Sequence, residues 1–366
     1  MRSFFSVAAF SVAALLALGA SPAFAKDWPV SEHDAVYRDF SFGSGETLPE
    51  LKIHYTTLGT PHRNAKGEID NAIMVLHGTG GSGKQFLQPQ FADELYGPGQ
   101  PFDISRWFII LPDNIGHGAS SKPSDGLRMK FPAYDYDDMV RAQHRLVTET
   151  LGIKQLRLIL GTSMGCMHGF VWGETYPANV AKLAPFACNP VEIAGQNRMW
   201  RKMSVDALKA DPAWNGGNYS AQPVAGMRTA AVLNAIAGAN PLALQAQYPT
   251  RAAAEEALAK SLPARMAGDA NDKIYQLESS RNYNPEPKLD SVTMPVLWIN
   301  SADDFINPPG NDFGPRLVKR MPRARFILIA ATPETKGHGT HTWAKFWKAD
   351  LQKFMDEKAP SGGNTP

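Results

Sequence analysis

The sequence predicts an α/β fold in which a mostly parallel central sheet is flanked by helices and interrupted by a helical insertion. Short runs of β-branched and large apolar residues recur along the 366-residue chain, as they do in the buried strands of parallel sheets. Segments with helical periodicity separate several of these runs, and this alternation is typical of α/β proteins. Between about residues 189 and 290 the strand pattern gives way to helix-like segments rich in Ala, Met, Asn and Arg, which indicates the insertion.

The predicted elements follow one another along the chain. Alternating stretches on either side of Gly43-Ser44-Gly45, from about Phe40 to Thr60, predict a hairpin. Parallel strands are predicted in VLWIN, in ARFILIA, and at Ala72–Leu76, Trp107–Leu111, Leu156–Leu160 and Lys182–Ala187. Helices are predicted at Tyr136–Leu151 and Trp343–Met355. The helices of the insertion are expected to break at Pro212, Gly216-Gly217, Pro241 and Pro263.

The first 25 residues are predicted to be a secretory signal. A basic start at Arg2, an apolar run through Leu18 and the small-residue ending Ala23-Phe24-Ala25 indicate cleavage before Lys26. A membrane anchor is the disfavoured alternative, because the apolar run is short. The mature protein is therefore expected to be periplasmic or secreted, with no contact with the membrane after cleavage.

These patterns divide the chain into five parts. The length suits one large domain that carries an insertion, or two modest domains. The parts are the signal peptide at 1–25, a first part of the α/β core at 26–188, a helical lid at 189–289, a second part of the core at 290–358, and a flexible tail at 359–366.

Charge and cysteine content narrow the class of partner. The 37 basic residues nearly balance the 35 acidic ones, without a basic stripe, so no nucleic-acid partner is expected. The two cysteines, Cys166 and Cys188, would form a disulfide in an oxidising compartment or remain two buried thiols. They lack a metal-ligand spacing, so no metal is expected.

A serine on a sharp turn is the first candidate for chemistry. Gly161-Thr162-Ser163-Met164-Gly165 matches the G-x-S-x-G pattern, with a predicted strand before it and a predicted helix after it. Small flanking residues permit the turn that lifts the serine hydroxyl above the sheet. The pattern predicts Ser163 as a nucleophile, and an ordinary glycine-rich turn is the alternative.

The serine needs a base within hydrogen-bonding reach and a carboxylate that orients this base. In this fold the acid and then the histidine follow the serine along the chain. Asp303 and Asp304, directly after VLWIN, are the candidate acids, and His338 and His341, after the last strand, are the candidate bases. His117 lies in a loop after the second parallel strand and is expected to shape that loop.

The segment VLHGTGGSGKQF, residues 75–86, admits two interpretations. It fits most of a phosphate-binding loop, but Gln85 stands where that pattern needs Ser or Thr for Mg²⁺. The alternative is a His-Gly turn whose N–H groups stabilise an oxyanion. Since the serine, acid and histidine occur in the required order, the second interpretation is favoured. The N–H groups of Thr79 and Met164 are then expected to form the oxyanion hole.

Several longer motifs resemble those of the α/β-hydrolases and, more narrowly, of the homoserine O-acetyltransferase family. They are FGSGETLPELKIHYTTLGT, GPGQPFDISRWFIILPDNIGHGASS, GTSMGCMHGFVWGETYP and DPAWNGGNY. The resemblance implies the α/β-hydrolase fold, a helical lid over a tunnel and often a homodimer. Carried over by position, it implies Ser163 as the nucleophile, Asp304 as the acid and His338 as the base.

The chain departs from this family at three positions. Gly339 follows His338, where the family has an aspartate that helps to recognise the amino acid. Ala231, with Arg228 three positions earlier, lies where the family has an Ala-Arg pair in the lid, and Gly165-Cys166 replaces a Gly-Gly pair. An exported enzyme would also lack acetyl-CoA, a cytoplasmic metabolite, so water is the expected acceptor.

The expected function is that of an exported serine hydrolase, which cleaves a small-molecule carboxylic ester or related acyl compound through an acyl-enzyme, without cofactors. The alternative is an acyltransferase of the family type, in which Arg228 or Arg201 would bind a carboxylate. A non-catalytic binding protein is disfavoured by the order of serine, acid and histidine. Four residues of the insertion are expected to line an acyl pocket or to form the core of the lid: Met199, Trp200, Met203 and Trp214.

Overall fold

The computed structural model describes residues 26–357. The predicted signal peptide at 1–25 and the predicted tail at 359–366 lie outside the described residues. Within the described range, no helix is long and apolar enough to cross a membrane.

The described strands form one eight-stranded sheet. They are β1 (Ser31–Ser41), β2 (Thr47–Leu58), β3 (Ala72–Leu76), β4 (Phe108–Pro112), β5 (Leu158–Thr162), β6 (Leu183–Phe186), β7 (Val296–Ser301) and β8 (Ala324–Ile329). Their order across the sheet is β1-β2-β4-β3-β5-β6-β7-β8. Strand β2 is antiparallel to β1 and β4, and all other neighbours are parallel, which confirms the predicted mostly parallel sheet.

The α-helices of the described chain cover both faces of the sheet and fill the insertion. They are α1 (Pro89–Leu95), α2 (Tyr136–Arg145), α3 (Met164–Thr175), α4 (Gly195–Ala210), α5 (Val224–Ala237), α6 (Pro241–Gln247), α7 (Arg251–Arg265), α8 (Ala270–Glu278), α9 (Phe313–Leu317) and α10 (Lys348–Asp356). Helices α4 to α8 all lie between β6 and β7, and we call this group the lid.

Both faces of the sheet are buried, which explains the continuous apolar runs in the strands. In β3, Met74 and Leu76 face the apolar cluster that includes α2 and α3, whereas Ile73 and Val75 face the cluster that includes α1 and α10. This alternation follows from the two-residue period of a strand. The lid has a separate apolar cluster, which includes Val205, Leu208, Met227, Ala270 and Ile274.

The strand predictions are confirmed in position and corrected at their ends. The predicted hairpin is β1 and β2, although β1 begins at Ser31. Strand β5 begins at Leu158 rather than at Leu156, because Leu156 makes only an isolated bridge to Val180.

Three helix predictions need larger corrections. Helix α2 ends at Arg145, and the chain continues to Thr150 as a single π-helical turn. Helix α7 continues through Pro263. The proline has no N–H for the carbonyl group four residues earlier, but this end of the helix is exposed, so that carbonyl group can bind water. The predicted helix from Trp343 begins only at Lys348, because Trp347 has a φ of −141° and packs against Phe186 and Phe91.

Candidate active site

Ser163 lies on the turn between β5 and α3, with φ 55° and ψ −112°. The turn is sharp because its flanks have no room for side chains. A Cβ atom on Gly161 would lie 2.0 Å from the Gly165 carbonyl oxygen, and one on Gly165 would lie 2.1 Å from that of Leu76. The strand–turn–helix context predicted from G-x-S-x-G is therefore present, and its strained φ is of the kind that collects at functional sites.

The structure brings Ser163, His338 and Asp304 into one hydrogen-bonded series. The Ser163 Oγ lies 2.8 Å from Nε2 of His338, and the other ring nitrogen, Nδ1, lies 2.8 Å from Oδ2 of Asp304. With the imidazole neutral, Nδ1–H donates to the carboxylate and Nε2 accepts from the hydroxyl. The His338 side chain is 12% exposed, whereas that of Asp304 is completely buried. The series thus runs from the completely buried carboxylate of Asp304 to the hydroxyl of Ser163, a residue that is 8% exposed.

The environment of Asp304 holds its carboxylate in the ionised form. Burial opposes ionisation most strongly, but the neighbouring His338 and two backbone amides outweigh it, so the net effect lowers the pKa of Asp304. These amides belong to Ile306 and Asn307 and donate to Oδ1 at 2.8 and 2.9 Å. Oδ2 is therefore left for the histidine.

The two competing candidates lie beside this series but outside it. Oδ2 of Asp303 accepts hydrogen bonds from the Thr335 hydroxyl at 2.7 Å and from the Gly337 N–H at 3.0 Å. The ring of His341 packs edge-on against His338 with centroids 5.1 Å apart, and its Nδ1 is buried without a partner in the described structure. Burial, together with the charge of His338, lowers the pKa of His341 to about 3, so its ring is neutral near pH 7.

The predicted oxyanion turn is braced by a buried histidine. His77 is fully buried, and this burial lowers its pKa to about 4, so the ring is neutral. Its Nδ1–H donates to the Gly78 carbonyl oxygen at 2.8 Å, and its Nε2 accepts from the backbone N–H of Asn114 at 3.0 Å. His117 packs against His77, and its Nδ1 lies 2.9 Å from the Ile115 carbonyl oxygen, so His117 shapes the loop as expected.

The two amides predicted to form the oxyanion hole are available for a ligand. Within residues 26–357, neither the Thr79 nor the Met164 N–H has a protein acceptor. Met164 is the first residue of α3, where an N–H group lacks an intrahelical partner. A Cβ atom on Gly78 would lie 3.2 Å from the Cβ of Ser163, so the turn passes directly beside the serine.

The residues that suggested a phosphate-binding loop have other partners. The Lys84 ammonium group pairs with Glu32 at 2.9 Å. The Gly83 N–H donates to Oδ1 of Asp113 at 2.7 Å, and the Gln85 side chain donates to the Thr162 hydroxyl at 3.2 Å. The lysine and an amide that would hold a phosphate are therefore engaged elsewhere.

Cys166 and Cys188 form a disulfide, which resolves the two alternatives left open by the sequence. Their Cα atoms are 5.9 Å apart, and both side chains are fully buried. The bond joins the first turn of α3 to the chain just after β6. It thus ties the helix that follows Ser163 to the point where the chain leaves for the lid.

The lid residues singled out in the sequence separate into inward and outward groups. Arg201 is buried, and its Nε donates to Oδ1 of Asn197 at 2.9 Å, whereas Arg228 is exposed on α5. Met199 and Met203 are 65% and 49% exposed, so these two do not form the core of the lid. Trp200 and Trp214 pack in the lid cluster, as the second expectation had it.

Two cavities flank the loop that follows β7. One, of about 490 Å³, lies between Ile306, Asn307 and the start of α4. The other is an apolar groove of about 870 Å³ between this loop and helices α5 to α7. Ser163 lines neither cavity and is 8% exposed. Among the described residues, no cluster of three or more His, Cys, Asp or Glu side chains is placed to hold a metal.

The loop that leads to His338 is held by lid contacts that the sequence analysis missed. Asn240, between α5 and α6, donates from Nδ2 to the carbonyl oxygens of Thr332 at 2.9 Å and Thr335 at 2.7 Å. The sequence signal, Asn before Pro241, indicates only a helix cap. Nothing in it reveals a contact with a loop 92 residues further along the chain.

Comparison with known proteins places this geometry in a family. Residues 71–333 match the alpha/beta hydrolase fold family. The chain is 30% identical over 285 residues to the homoserine O-acetyltransferase of Gluconobacter oxydans, and the alignment covers 72% of this chain and 69% of the relative.

Solved structures of transferases and esterases share the fold. The crystal structure of homoserine O-acetyltransferase from Bacillus anthracis superposes with a TM-score of 0.79 at 21% identity, covering 91% of this chain and 99% of that one. An acetylester hydrolase from Corynebacterium glutamicum gives a TM-score of 0.78 at 22% identity, covering 89% and 96%. The predicted fold and family are confirmed. The chain is an enzyme, an esterase or an O-acyltransferase, and it belongs to the α/β-hydrolase family and within it to the homoserine O-acyltransferase-like group.

Proposed function

We propose that this protein is an exported serine esterase that hydrolyses a small carboxylic ester through an acyl-enzyme. The observation that carries the proposal is the hydrogen-bonded series in which His338 joins the Ser163 hydroxyl to the Asp304 carboxylate. A hydroxyl is a weak nucleophile at neutral pH, and an adjacent oriented base is what activates it.

The reaction follows from the positions of these groups. Ser163 Oγ attacks the ester carbonyl while Nε2 of His338 accepts the hydroxyl proton, and Asp304 stabilises the imidazolium that forms. The N–H groups of Thr79 and Met164 bind the oxyanion, each contributing about 3 kcal/mol in comparable sites. The histidine then protonates the leaving alcohol, and the acyl group stays on Ser163. Water that gives its proton to the same histidine attacks the acyl-enzyme, and the acid and free serine are released.

The residue after the histidine favours water over an amino-acid acceptor. Gly339 stands where the resemblance implies an aspartate that helps to recognise the amino acid. A Cβ atom on Gly339 would approach only the Cβ of Lys336, at 3.6 Å, so lack of space does not explain the glycine. A site without this carboxylate lacks the group that the resemblance implies for recognition of the amino acid, and this supports water as the acceptor.

Export is the second part of the proposal. It is supported by the signal-like first 25 residues and by the disulfide between Cys166 and Cys188, since disulfides persist in oxidising compartments and are rare in the cytoplasm. Acetyl-CoA is a cytoplasmic metabolite, whereas water is always present outside. Localisation thus favours hydrolysis over transfer.

An O-acyltransferase is the second candidate. It is favoured by the relative from Gluconobacter oxydans, which is named for homoserine O-acetyl transfer. Arg201 also favours it, because this buried guanidinium contacts only neutral groups in the described structure and would suit a substrate carboxylate.

The first test compares the mature chain, residues 26–366, with its Ser163→Ala variant on nitrophenyl acetate, butyrate and octanoate. We expect turnover without an acceptor, and a loss of about four orders of magnitude or more in the variant. Ser291→Ala, which changes an exposed serine before β7, at the other end of that strand from Asp304, is the matched control. Turnover that requires homoserine and acetyl-CoA would establish the transferase instead. Failure of Ser163 to become acylated under either condition would refute both candidates.

Export has its own test. Expression of the full chain in a bacterium with a periplasm, followed by fractionation and mass spectrometry, should give a periplasmic product that begins at Lys26 and is two hydrogens lighter than the dithiol. An uncleaved chain that stays in the cytoplasm with free thiols would contradict export.

A further inference from the structure

We propose that Asn240 of the lid is a positioning residue for His338, so that docking of the lid on the core is part of the assembly of the active site. The inference rests on the proposed function, in which His338 is the base. Asn240 has no hydrogen bond to Ser163, Asp304 or His338, and it acts through residues 332–342. This segment, which we call the histidine loop, comprises the loop that leads to His338 and the 3₁₀ helix that carries His338 and His341.

Asn240 uses both ends of its amide. Its Nδ2 donates to the carbonyl oxygens of Thr332 and Thr335 at 2.9 and 2.7 Å. Its Oδ1 accepts from the N–H groups of Leu242 and Ala243, at 2.9 and 3.2 Å, and so caps the start of α6. The side chain is 3% exposed, which makes each lost hydrogen bond costly. One buried amide therefore joins a lid helix to the histidine loop.

The same loop is also held by the residue next to the acid. The Thr335 hydroxyl donates to Oδ2 of Asp303 at 2.7 Å, and the Gly337 N–H donates to the same oxygen at 3.0 Å. Asp303 precedes Asp304 directly. The loop is thus clamped by hydrogen bonds both to the lid and to the segment that carries the acid.

The backbone of the lid also packs directly against the residue before the histidine. Gly337 has a φ of 58°, and a Cβ atom there would lie 2.6 Å from the Ala239 carbonyl oxygen. No side chain separates the lid from the loop at this point. A displacement of the turn between α5 and α6 would therefore leave Gly337 unsupported.

The geometry of His338 makes this support matter for the reaction. Its two ring nitrogens lie 2.8 Å from Ser163 and from Asp304, near the middle of the range for hydrogen bonds. A shift of about 1 Å is enough to weaken both contacts and to lower the rate by as much as about 100-fold. Helices α4, α5 and α8 of the lid share an apolar cluster separate from those of the sheet, so the contacts of Asn240 are among those that fix the lid relative to His338.

The test separates the clamp from the helix cap. Asn240→Asp keeps the Oδ1 acceptor, and Asp caps helices about as well as Asn, but it removes the N–H donors and places a carboxylate against two carbonyl groups. Thr335→Val removes the hydroxyl at nearly constant shape, and Thr335→Ser restores it. We expect kcat for nitrophenyl acetate to fall about 10- to 100-fold in the Asp and Val variants, with KM unchanged and with recovery in the Ser variant. The rate of phosphonylation of Ser163 by a nitrophenyl phosphonate should fall by the same factor, since it needs the same base.

Thr250→Val is the matched control. It removes the cap of α7, where the Thr250 hydroxyl accepts from the Ala253 N–H at 3.3 Å, and it leaves the histidine loop untouched. We expect a lower melting temperature with an unchanged kcat. Unchanged kcat in folded Asn240→Asp and Thr335→Val, or losses that the Thr250→Val control reproduces, would overturn the inference. If Asn240→Asp does not fold, Thr335→Val decides. Wild-type protein without Ser163-dependent turnover would instead refute the proposed function, and the inference with it.

Discussion

Ser163 and His338 lie within hydrogen-bonding distance of each other, but the structure holds them by different means. Ser163 lies between β5 and α3, in a turn fixed by close backbone contacts and followed by the disulfide at Cys166. His338 lies at the start of a short 3₁₀ helix, Gly337–Thr342, and the loop before this helix is held by side-chain hydrogen bonds with Asp303 and Asn240. The nucleophile turn is built by core packing, and the histidine loop by polar contacts that cross between distant segments.

This difference indicates where the site can move. Segments with many buried apolar contacts open only with the whole domain, whereas segments held by a few hydrogen bonds open locally. The serine is therefore the fixed partner, and the histidine is the one whose position depends on the lid. A loop of this kind can couple substrate entry beneath a lid to assembly of the base.

The largest expected effect comes from substitution of two glycines, one in the turn that carries Ser163 and one in the histidine loop. In Gly165→Ala the new Cβ would lie 2.1 Å from the Leu76 carbonyl oxygen in the centre of the sheet, so we expect a loss of about 4 kcal/mol or more of unfolding free energy. In Gly337→Ala the clash is with a turn near the surface, and the left-handed φ costs about 1–2 kcal/mol. For Gly337→Ala we expect kcat to fall by a larger factor than the loss of folded protein accounts for. Urea unfolding and esterase kinetics measure both, and equal losses of stability in the two variants would contradict the comparison.

The disulfide gives the second expected effect. Replacement of both Cys166 and Cys188 by Ala removes a link that closes a 22-residue separation, and about 3 kcal/mol of unfolding free energy should be lost. The kcat of the folded fraction should stay within about threefold of wild type, because the packing of α3 on the sheet still fixes the serine. A large fall in kcat at unchanged stability would mean that the disulfide, rather than the packing, positions Ser163.

The sequence also predicts the turn that carries Ser163 and the histidine loop to different extents. Ser163 and the strand and helix around it are a local pattern, and so they were located to within two residues. Asp304 and His338 were identified by resemblance to a family, and the structure places both beside the serine. Their neighbours Asp303 and His341 could not be separated from them by composition, since both pairs lie within three residues in similar loops.

The errors have a common physical cause. Pro263 was expected to end a helix, but it lies in an exposed last turn where its missing hydrogen bond costs little. Trp347 was expected inside a helix, but packing against Phe186 fixes its backbone outside the helical region. Asn240 has the local sequence of a cap, and its contacts with the histidine loop exist only in the folded chain. In each case tertiary contacts decided what local propensity could not.

The smallest expected effect is a dependence of stability on pH. Burial lowers the pKa of His117 and that of His341, each to about 3, whereas an unfolded histidine has a pKa near 6.5. Between these values the unfolded chain binds more protons, so stability falls as the pH is lowered from about 6.5. Asp304 acts in the same direction but at lower pH: its lowered pKa adds stability that is present above the unfolded value near 3.8 and lost only below it, so it does not contribute to this window.

Two substitutions turn this effect into a local probe. His117→Gln, on the nucleophile side, should reduce the loss of unfolding free energy between pH 7 and pH 5 by on the order of 1–2 kcal/mol. His341→Gln should do the same only if the histidine loop stays closed until the whole domain unfolds. If the loop opens first, His341 is protonated in the native ensemble, and its substitution leaves the slope of urea-unfolding free energy against pH unchanged. If neither substitution changes the slope of unfolding free energy against pH, the buried, neutral state of these rings is contradicted. If His341→Gln alone leaves this slope as it is in the wild type, the histidine loop opens independently of the sheet that holds Ser163.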